Sequence, residues 1–385
     1  MELSTQQQKV LQTIQDWYHT QQRDFLTLGG YAGTGKTTLL GFFSNEIRKQ
    51  KSFKIAFCSY TGKAARVLSQ KLVEVNALKP GDYTGTIHRL IYAPIVDGKD
   101  EIIGWEKRER DKFPYKLIVV DEASMLNQQI WEDLLSFGVP ILAVGDHGQL
   151  PPIEGKFNLM QNPELKLEEI YRQEQGNPII KLSELARNHG EIPFGMFGRG
   201  VRKLSRRDMD TQEFLGDLFA GFNEEMMVLT GYNRTRVKLN KAIRQILEKE
   251  SELPMRGDRV ICLRNNHEKY IYNGMMGKIT EINKDSDDSG DYYSLSILFD
   301  GDEDEYAGEA SVEQFGAEST ITDERRKGID LFDFGYALTV HKAQGSQAER
   351  VVVFEERFSR MTDDEWQRWL YTAVTRASRE LYIVA

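Results

Sequence analysis

Residues 30–37 read Gly-Tyr-Ala-Gly-Thr-Gly-Lys-Thr, the G-x-x-x-x-G-K-[ST] spacing of a loop that wraps phosphate groups. Such a loop works only between a buried strand and the start of a helix, so it dictates α/β architecture around it. Both flanks comply: residues 25–28 are apolar and strand-like, and residues 36–49 carry a helical pattern. Gly30, Gly33 and Gly35 let the backbone turn its N–H groups towards phosphate oxygens. The helix N-terminus adds positive potential, with Thr34 and Thr38 beside it. Lys36 is expected on the β- and γ-phosphates of ATP, and the Thr37 hydroxyl on Mg²⁺. The competing reading, a chance glycine-rich turn, leaves the flanking strand and helix unexplained.

A second element agrees. Residues 117–120 are Leu-Ile-Val-Val, followed by Asp121 and Glu122. Two carboxylates at the end of a buried strand are costly unless they meet a metal or a substrate. Asp121 is expected to hold Mg²⁺ and Glu122 to deprotonate an attacking water; helix capping by Asp121 is the alternative. After the run 141–144 come Gly145, Asp146 and Gln149. Gln149 is a candidate sensor of the γ-phosphate, and a plain tight turn capped by Asp146 is the alternative there.

The rest of the chain fits this frame. Apolar runs at 25–28, 55–58, 117–120 and 141–144, then at 226–229, 351–354 and 381–384, read as buried parallel strands of two lobes. Residues 91–96 and 101–106, joined by Asp97-Gly98, read as a β-hairpin. Residues 257–330 read as a small antiparallel unit inserted in the second lobe, and 188–210 as a loop between lobes. The expected division is 1–84 and 113–175 for the first lobe, 85–112 for the hairpin, 176–256 and 331–385 for the second lobe, and 257–330 for the insertion.

Charge does not choose the partner. The net charge is -9, but residues 281–313 hold twelve Asp/Glu and one Lys. The remainder is near neutral, which leaves room for local basic grooves. Cys58 and Cys262 both sit in apolar runs and read as buried free thiols of a reducing, cytoplasmic compartment. No Cys/His spacing suggests zinc. No apolar run reaches the ~20 residues that span a bilayer, and residues 1–8 are polar.

The ordered motif set resembles the superfamily 1 helicases, in the branch of RecD and Dda. Leu3-Ser-Thr-Gln-Gln7 resembles the Q motif, although the run Gln6-Gln7-Gln8 leaves its register open. Gly30–Thr38 is similar to motif I, Ser59-Tyr-Thr61-Gly-Lys63-Ala-Ala65 to motif Ia, and Thr84-Gly-Thr86-Ile-His88 to motif Ib. Residues 121–125 and 145–152 resemble motifs II and III, and Tyr171-Arg172-Gln173 resembles motif IV. The stretch from Tyr336 through Thr339, His341, Lys342, Gln344 and Gly345 to Ser346 resembles motif V; Tyr371 through Thr375, Arg376 and Ala377 resembles motif VI.

The resemblance implies two RecA-like P-loop lobes with parallel sheets, a β-hairpin insertion in the first and a small antiparallel β-barrel insertion in the second. It implies that Gln7 reads adenine, that Gly345 lies at the ATP site, and that Arg172 and Arg376 act as arginine fingers. Thr61, Lys63, Thr86 and His88 of the first lobe, with Asn233, Thr339, His341, Lys342 and Ser346 of the second, would carry the DNA strand. Tyr92, Ile95, Val96 and Trp105 would form a strand-separating pin; the alternative is an ordinary hairpin packed on its lobe. The implied function is an ATP-dependent DNA helicase moving 5′→3′, acting on single strands and ss/ds junctions as a monomer with ATP and Mg²⁺. A translocase without strand separation, or a motor subunit of a recombination or repair complex, is the alternative.

Overall fold

The computed structural model describes all residues except 1–2, 50–52, 97–101, 152–156, 170–175, 250, 267–268, 270, 303–304 and 322–328; the side chains of Lys63, Pro94, Val96 and residues 102–105 are likewise outside the description. The chain divides into two compact units, Met1–Arg187 and Asn188–Ala385. This division lies beyond the expected edge at 175, so helix α6 (Pro178–His189) falls almost wholly in the first unit. There Arg187 sits over the Tyr31 ring, 3.5 Å from its centroid.

The first unit is built on a six-stranded sheet. Its strands are β1 (Phe25–Gly30), β2 (Ile55–Ser59), β3 (Tyr83–Thr86), β6 (Leu117–Asp121), β7 (Ile141–Gly145) and β8 (Leu165–Leu167), in the order β3-β2-β6-β7-β1-β8. Every pairing is parallel. Both faces are covered, and successive residues feed opposite cores. Leu26, Leu28, Ile55, Phe57, Leu117, Val119, Leu142 and Val144 pack on one side, with helices α1 (Thr5–Thr20) and α2 (Lys36–Ile47). Ala56, Cys58, Ile118, Val120, Ile141 and Ala143 pack on the other, with α4 (Ile87–Ile91) and α5 (Gln128–Leu135). That two-sided burial is why the strands read as continuous apolar runs.

Strands β4 (Tyr92–Val96) and β5 (Ile102–Lys107) pair antiparallel, from Tyr92 opposite Lys107 to Val96 opposite Ile102. The Asp97-Gly98 turn lies outside the described residues. At the base, the Tyr92 hydroxyl donates to Asp133 of α5 at 2.5 Å.

The second unit repeats the plan. Strands β9 (Gly195–Gly198), β10 (Val201–Leu204), β11 (Met226–Thr230), β17 (Ala337–Thr339), β18 (Ala348–Phe354) and β19 (Ala377–Val384) lie in the order β17-β11-β18-β19-β10-β9. All pairings are parallel except β9 on β10. Residues 188–210, expected as a loop, therefore contribute two strands. The strand signal of β10 is hidden because one inward residue is Lys203, which forms an ion pair with Glu355 at 2.6 Å while almost fully buried.

Between β11 and β17 the chain forms a five-stranded antiparallel sheet. Its strands are β12 (Arg259–Cys262), β13 (Met276–Asp287), β14 (Gly290–Phe299), β15 (Glu305–Ser311) and β16 (Phe332–Phe334), in the order β15-β14-β13-β12-β16. A parallel bridge between Ala310 and Asp330 brings the lead into β16 against β15. Helix α8 (Asn233–Ile246) anchors this sheet through two buried ion pairs, Arg236 with Asp333 and Arg244 with Asp258. Asp333 also accepts from the Gly316 and Phe334 amides, so it is a structural group.

Candidate functional site

The loop from Gly30 to Lys36 joins β1 to α2. Gly33 and Gly35 both have φ of +77°, which L side chains rarely adopt, and Gly35 is the N-cap of α2. A Cβ on Gly30 would meet Thr34 Oγ1 at 2.9 Å and Lys36 Cγ at 3.0 Å. Thr34 is buried, and its hydroxyl donates to the Tyr31 carbonyl at 2.8 Å. The Lys36 ammonium donates to the carbonyls of Gly30 at 2.7 Å and Tyr31 at 3.0 Å. The lysine is thus folded over its own loop. Thr37 and Thr38 follow in the first turn of α2.

Helix α1 closes this loop from one side. Ser4 and Gln7 form a capping box, and the Gln7 side-chain amide donates to the Thr34 carbonyl at 3.0 Å. Gln7 is only 2% exposed, whereas Gln6 accepts from the Glu168 and Glu169 amides and Gln8 is exposed. Of the three glutamines, Gln7 is the one placed against the phosphate loop.

The carboxylates stand at the end of β6, two strands from β1 with β7 between them. Burial raises the Asp121 pKa, while Lys36, the Glu122 amide and Lys71 pull it back down. Glu122 adopts the left-handed region, φ +54° and ψ +38°. Holding a non-glycine residue there costs ~1–3 kcal/mol, and such strain concentrates at functional sites. At the end of β7, Asp146 is buried; it accepts from the Gly148 amide at 2.9 Å and from the Gln149 side chain at 3.3 Å. A hydroxyl and a carboxylate are hard oxygen donors suited to Mg²⁺, which usually takes few protein ligands and completes its shell with phosphates and waters.

One group at this site had no sequence signal. His147 lies 4.3 Å from Tyr31, ring to ring, and a Cβ on Gly29 would come within 2.8 Å of its Nδ1. Burial lowers its pKa. With Arg187 also on Tyr31, the loop's aromatic residue is contacted by both, a tertiary arrangement invisible in sequence spacing.

In the second unit the equivalent interest is Arg376, between α9 (Asp363–Val374) and β19. It is 1% exposed. Its guanidinium donates to the carbonyls of Thr372 and Ser346, both at 3.1 Å, and to the Thr375 hydroxyl at 3.3 Å. Among the described residues no carboxylate pairs with it. A buried cation held only by neutral acceptors is poorly compensated until an anion arrives. Gly345, at φ +70°, makes the turn beside Ser346. Arg172 lies outside the described residues, with Tyr171 and Gln173.

The candidate strand-binding residues stand at strand ends. Thr61 after β2 and Thr86 at the end of β3 are the N-caps of α3 (Gly62–Glu74) and α4, accepting from the amides of Ala64 and Arg89. Ser59 and Thr86 are register partners on neighbouring strands, so the two helix starts are adjacent. His88 is buried between Tyr60 and Tyr92, which suits positioning of α4 rather than direct contact. In the second unit the Thr339 hydroxyl accepts from the Lys342 amide, and the Lys342 ammonium reaches Asn273 at 2.7 Å. Burial lowers the His341 pKa. Asn233 opens α8 and accepts from Arg236. Of the expected pin residues, Tyr92 is tied to the base and Ile95 is 39% exposed; the side chains of Val96 and Trp105 lie outside the description.

Two known families match stretches of this chain. Residues 2–209 match the family described as AAA domain, and residues 334–384 the UvrD-like helicase C-terminal domain. The chain is 29% identical to the ATP-dependent RecD2 DNA helicase of Deinococcus radiodurans, over 91% of this chain and 46% of that protein. It is 23% identical to the ATP-dependent DNA helicase dda of Enterobacteria phage T4, over 94% of this chain and 95% of that one. The chain thus spans about half the length of the RecD2 relative and nearly all of the phage protein. Its fold resembles the crystal structure of Bacteroides Pif1 bound to ssDNA, at 18% identity and a TM-score of 0.50, over 100% of this chain and 92% of that one. Among the described residues no helix is long and apolar enough to cross a membrane. The chain belongs to the superfamily 1 helicases, in the branch that holds RecD, Dda and Pif1.

Proposed function

We propose that this chain is an ATP-dependent DNA helicase that moves 5′→3′ along a single strand and parts duplex with the β4–β5 hairpin. The observation that carries this reading is Arg376, a buried guanidinium with no carboxylate partner among the described residues, in the unit that lacks the phosphate loop. An enzyme that only bound a nucleotide would have no use for it. A motor does, because a cation that meets the γ-phosphate only on closure makes hydrolysis depend on closure.

Each group then has a task. Gln7 reads adenine, while Gly30 through Thr38 hold the phosphates. Lys36 leaves the carbonyls of Gly30 and Tyr31 for phosphate oxygens. Thr37 and Asp121 would hold Mg²⁺, which neutralises phosphate charge. Glu122 takes the proton of the attacking water, and Gln149 senses the γ-phosphate from its bond to Asp146. Arg376 and Arg172 stabilise charge on the transferred group. Thr61, Lys63 and Thr86 contact the DNA backbone, with His88 positioning α4; Asn233, Thr339, His341, Lys342 and Ser346 serve the second unit. Hydroxyls and amides of this kind suit contacts that ignore sequence. A motor within a larger recombination or repair assembly is the second reading, favoured by the greater length of the RecD2 relative.

The test is to replace residues 92–105 with a short Gly/Ser turn. Strand-stimulated ATPase should survive and unwinding should stop. Surviving unwinding removes the pin; absent strand stimulation in the intact chain removes the motor.

A further inference from the structure

Beside the hairpin base lies a cavity of about 460 Å³ that none of the motifs uses. That is within the ~300–1,000 Å³ typical of small-ligand sites. It lies in the first unit, at the β3 edge of the sheet, whereas the phosphate loop follows β1 near the other edge. Its wall is aromatic. Tyr83 and Tyr115 meet edge-on at 6.1 Å, and Phe113 meets Tyr115 at 5.1 Å. Its rim is cationic, with Arg89, Arg108 and Lys112 among the lining residues. Glu106 and Glu109 oppose them, and Glu109 is taken up by Lys112 at 3.0 Å. Arg108 carries no ion pair among the described residues. Burial raises the Tyr83 and Tyr115 pKa values, partly offset by the Arg108 charge.

We propose that this cavity binds one nucleotide of a DNA strand, its base on the Tyr83–Tyr115–Phe113 wall and its phosphate on Arg108 and Arg89. Aromatic rings beside cations are the chemistry of sequence-tolerant single-strand binding. The placement has a mechanical consequence. The Tyr83 hydroxyl donates to the Thr86 carbonyl at 2.7 Å, so the cavity wall is bonded to the residue that caps α4. Arg89 lies on that same helix. A nucleotide seated here is coupled to the strand-end threonines and to the hairpin base at once. The proposal rests on the helicase reading, which supplies DNA as the ligand; the site itself rests on the cavity.

The test uses the full chain on forked duplexes carrying a photoreactive thymidine analogue close to the junction, in either the tracked or the displaced strand, with crosslinks mapped by mass spectrometry. A crosslink to Tyr115 or Phe113 is expected. From the displaced strand it shows that the cavity holds the strand being removed; from the tracked strand it shows that the cavity extends the track. Either supports the site. In parallel, Arg108→Glu with Lys112→Glu should weaken fork binding and lower the salt slope of log K by about 1–2, leaving ATP turnover in the absence of DNA unchanged. No crosslink at the wall, with an unchanged slope and intact strand-stimulated ATPase, overturns the cavity while leaving the helicase reading standing. Loss of strand stimulation in the unaltered chain is the failure of that reading instead.

Discussion

The two units share a six-stranded, largely parallel sheet, yet they place opposite chemistry at their strand ends. The first offers a glycine loop, a folded-over lysine and a pair of carboxylates. The second offers a buried guanidinium held by two carbonyls and a hydroxyl. On the proposed function, one scaffold has been fitted twice, once to grip a triphosphate and once to supply a cation. On that same reading, binding rests on the first unit, while turnover draws on Glu122 of the first and Arg376 of the second.

The largest expected effect comes from the second unit. Arg376→Lys should slow ATP turnover by ~10³–10⁵, the range of an arginine finger, with ATP affinity changed only a few-fold. Lost affinity in step with turnover would make Arg376 a binding residue and erase the contrast. In the first unit, Glu122→Gln should keep ATP and DNA binding and lower turnover by ~10²–10⁴, as removal of a general base does. Undiminished ATPase in that variant would falsify the assignment.

Smaller effects separate scaffold from chemistry. Thr61→Ala removes the side-chain cap of α3 and should cost ~0.5–2 kcal/mol in a urea melt. A loss near zero would mean that this hydroxyl is kept for DNA alone. The smallest effect is shared by both units. Burial depresses the pKa of His147 in the first and His341 in the second. The unfolded chain therefore binds protons that the folded chain refuses. Stability should be flat above the ordinary imidazole value of about 6.5 and fall as the pH drops from there towards the lower folded values. Replacing both histidines by glutamine should flatten that decline; an unchanged decline would locate it in other groups.

Much of the scaffold was legible because buried parallel strands leave unbroken apolar runs, and seven such runs became strands. The phosphate loop was legible because its glycines serve positive φ at 33 and 35. Two other strands were not. β3 is Tyr-Thr-Gly-Thr and only partly buried, and β10 turns Lys203 inward because Glu355 waits there. Three adjacent glutamines could not be ranked by composition; the bond from Gln7 to the Thr34 carbonyl ranks them. The partners of Arg376 and the contacts of Tyr31 with His147 and Arg187 are tertiary facts with no local period. His88 shows another limit: motif position marks it for DNA contact, and nothing in the spacing shows that its ring is buried.

The central claim, that ATP turnover drives directed movement along one strand, is tested most directly by unwinding of duplexes that carry either a 5′ or a 3′ single-stranded tail. ATP-dependent strand separation is expected with the 5′ tail and little with the 3′ tail. Preference for the 3′ tail would contradict the direction, and ATP hydrolysis stimulated by both tails with no separation of either duplex would contradict the helicase itself.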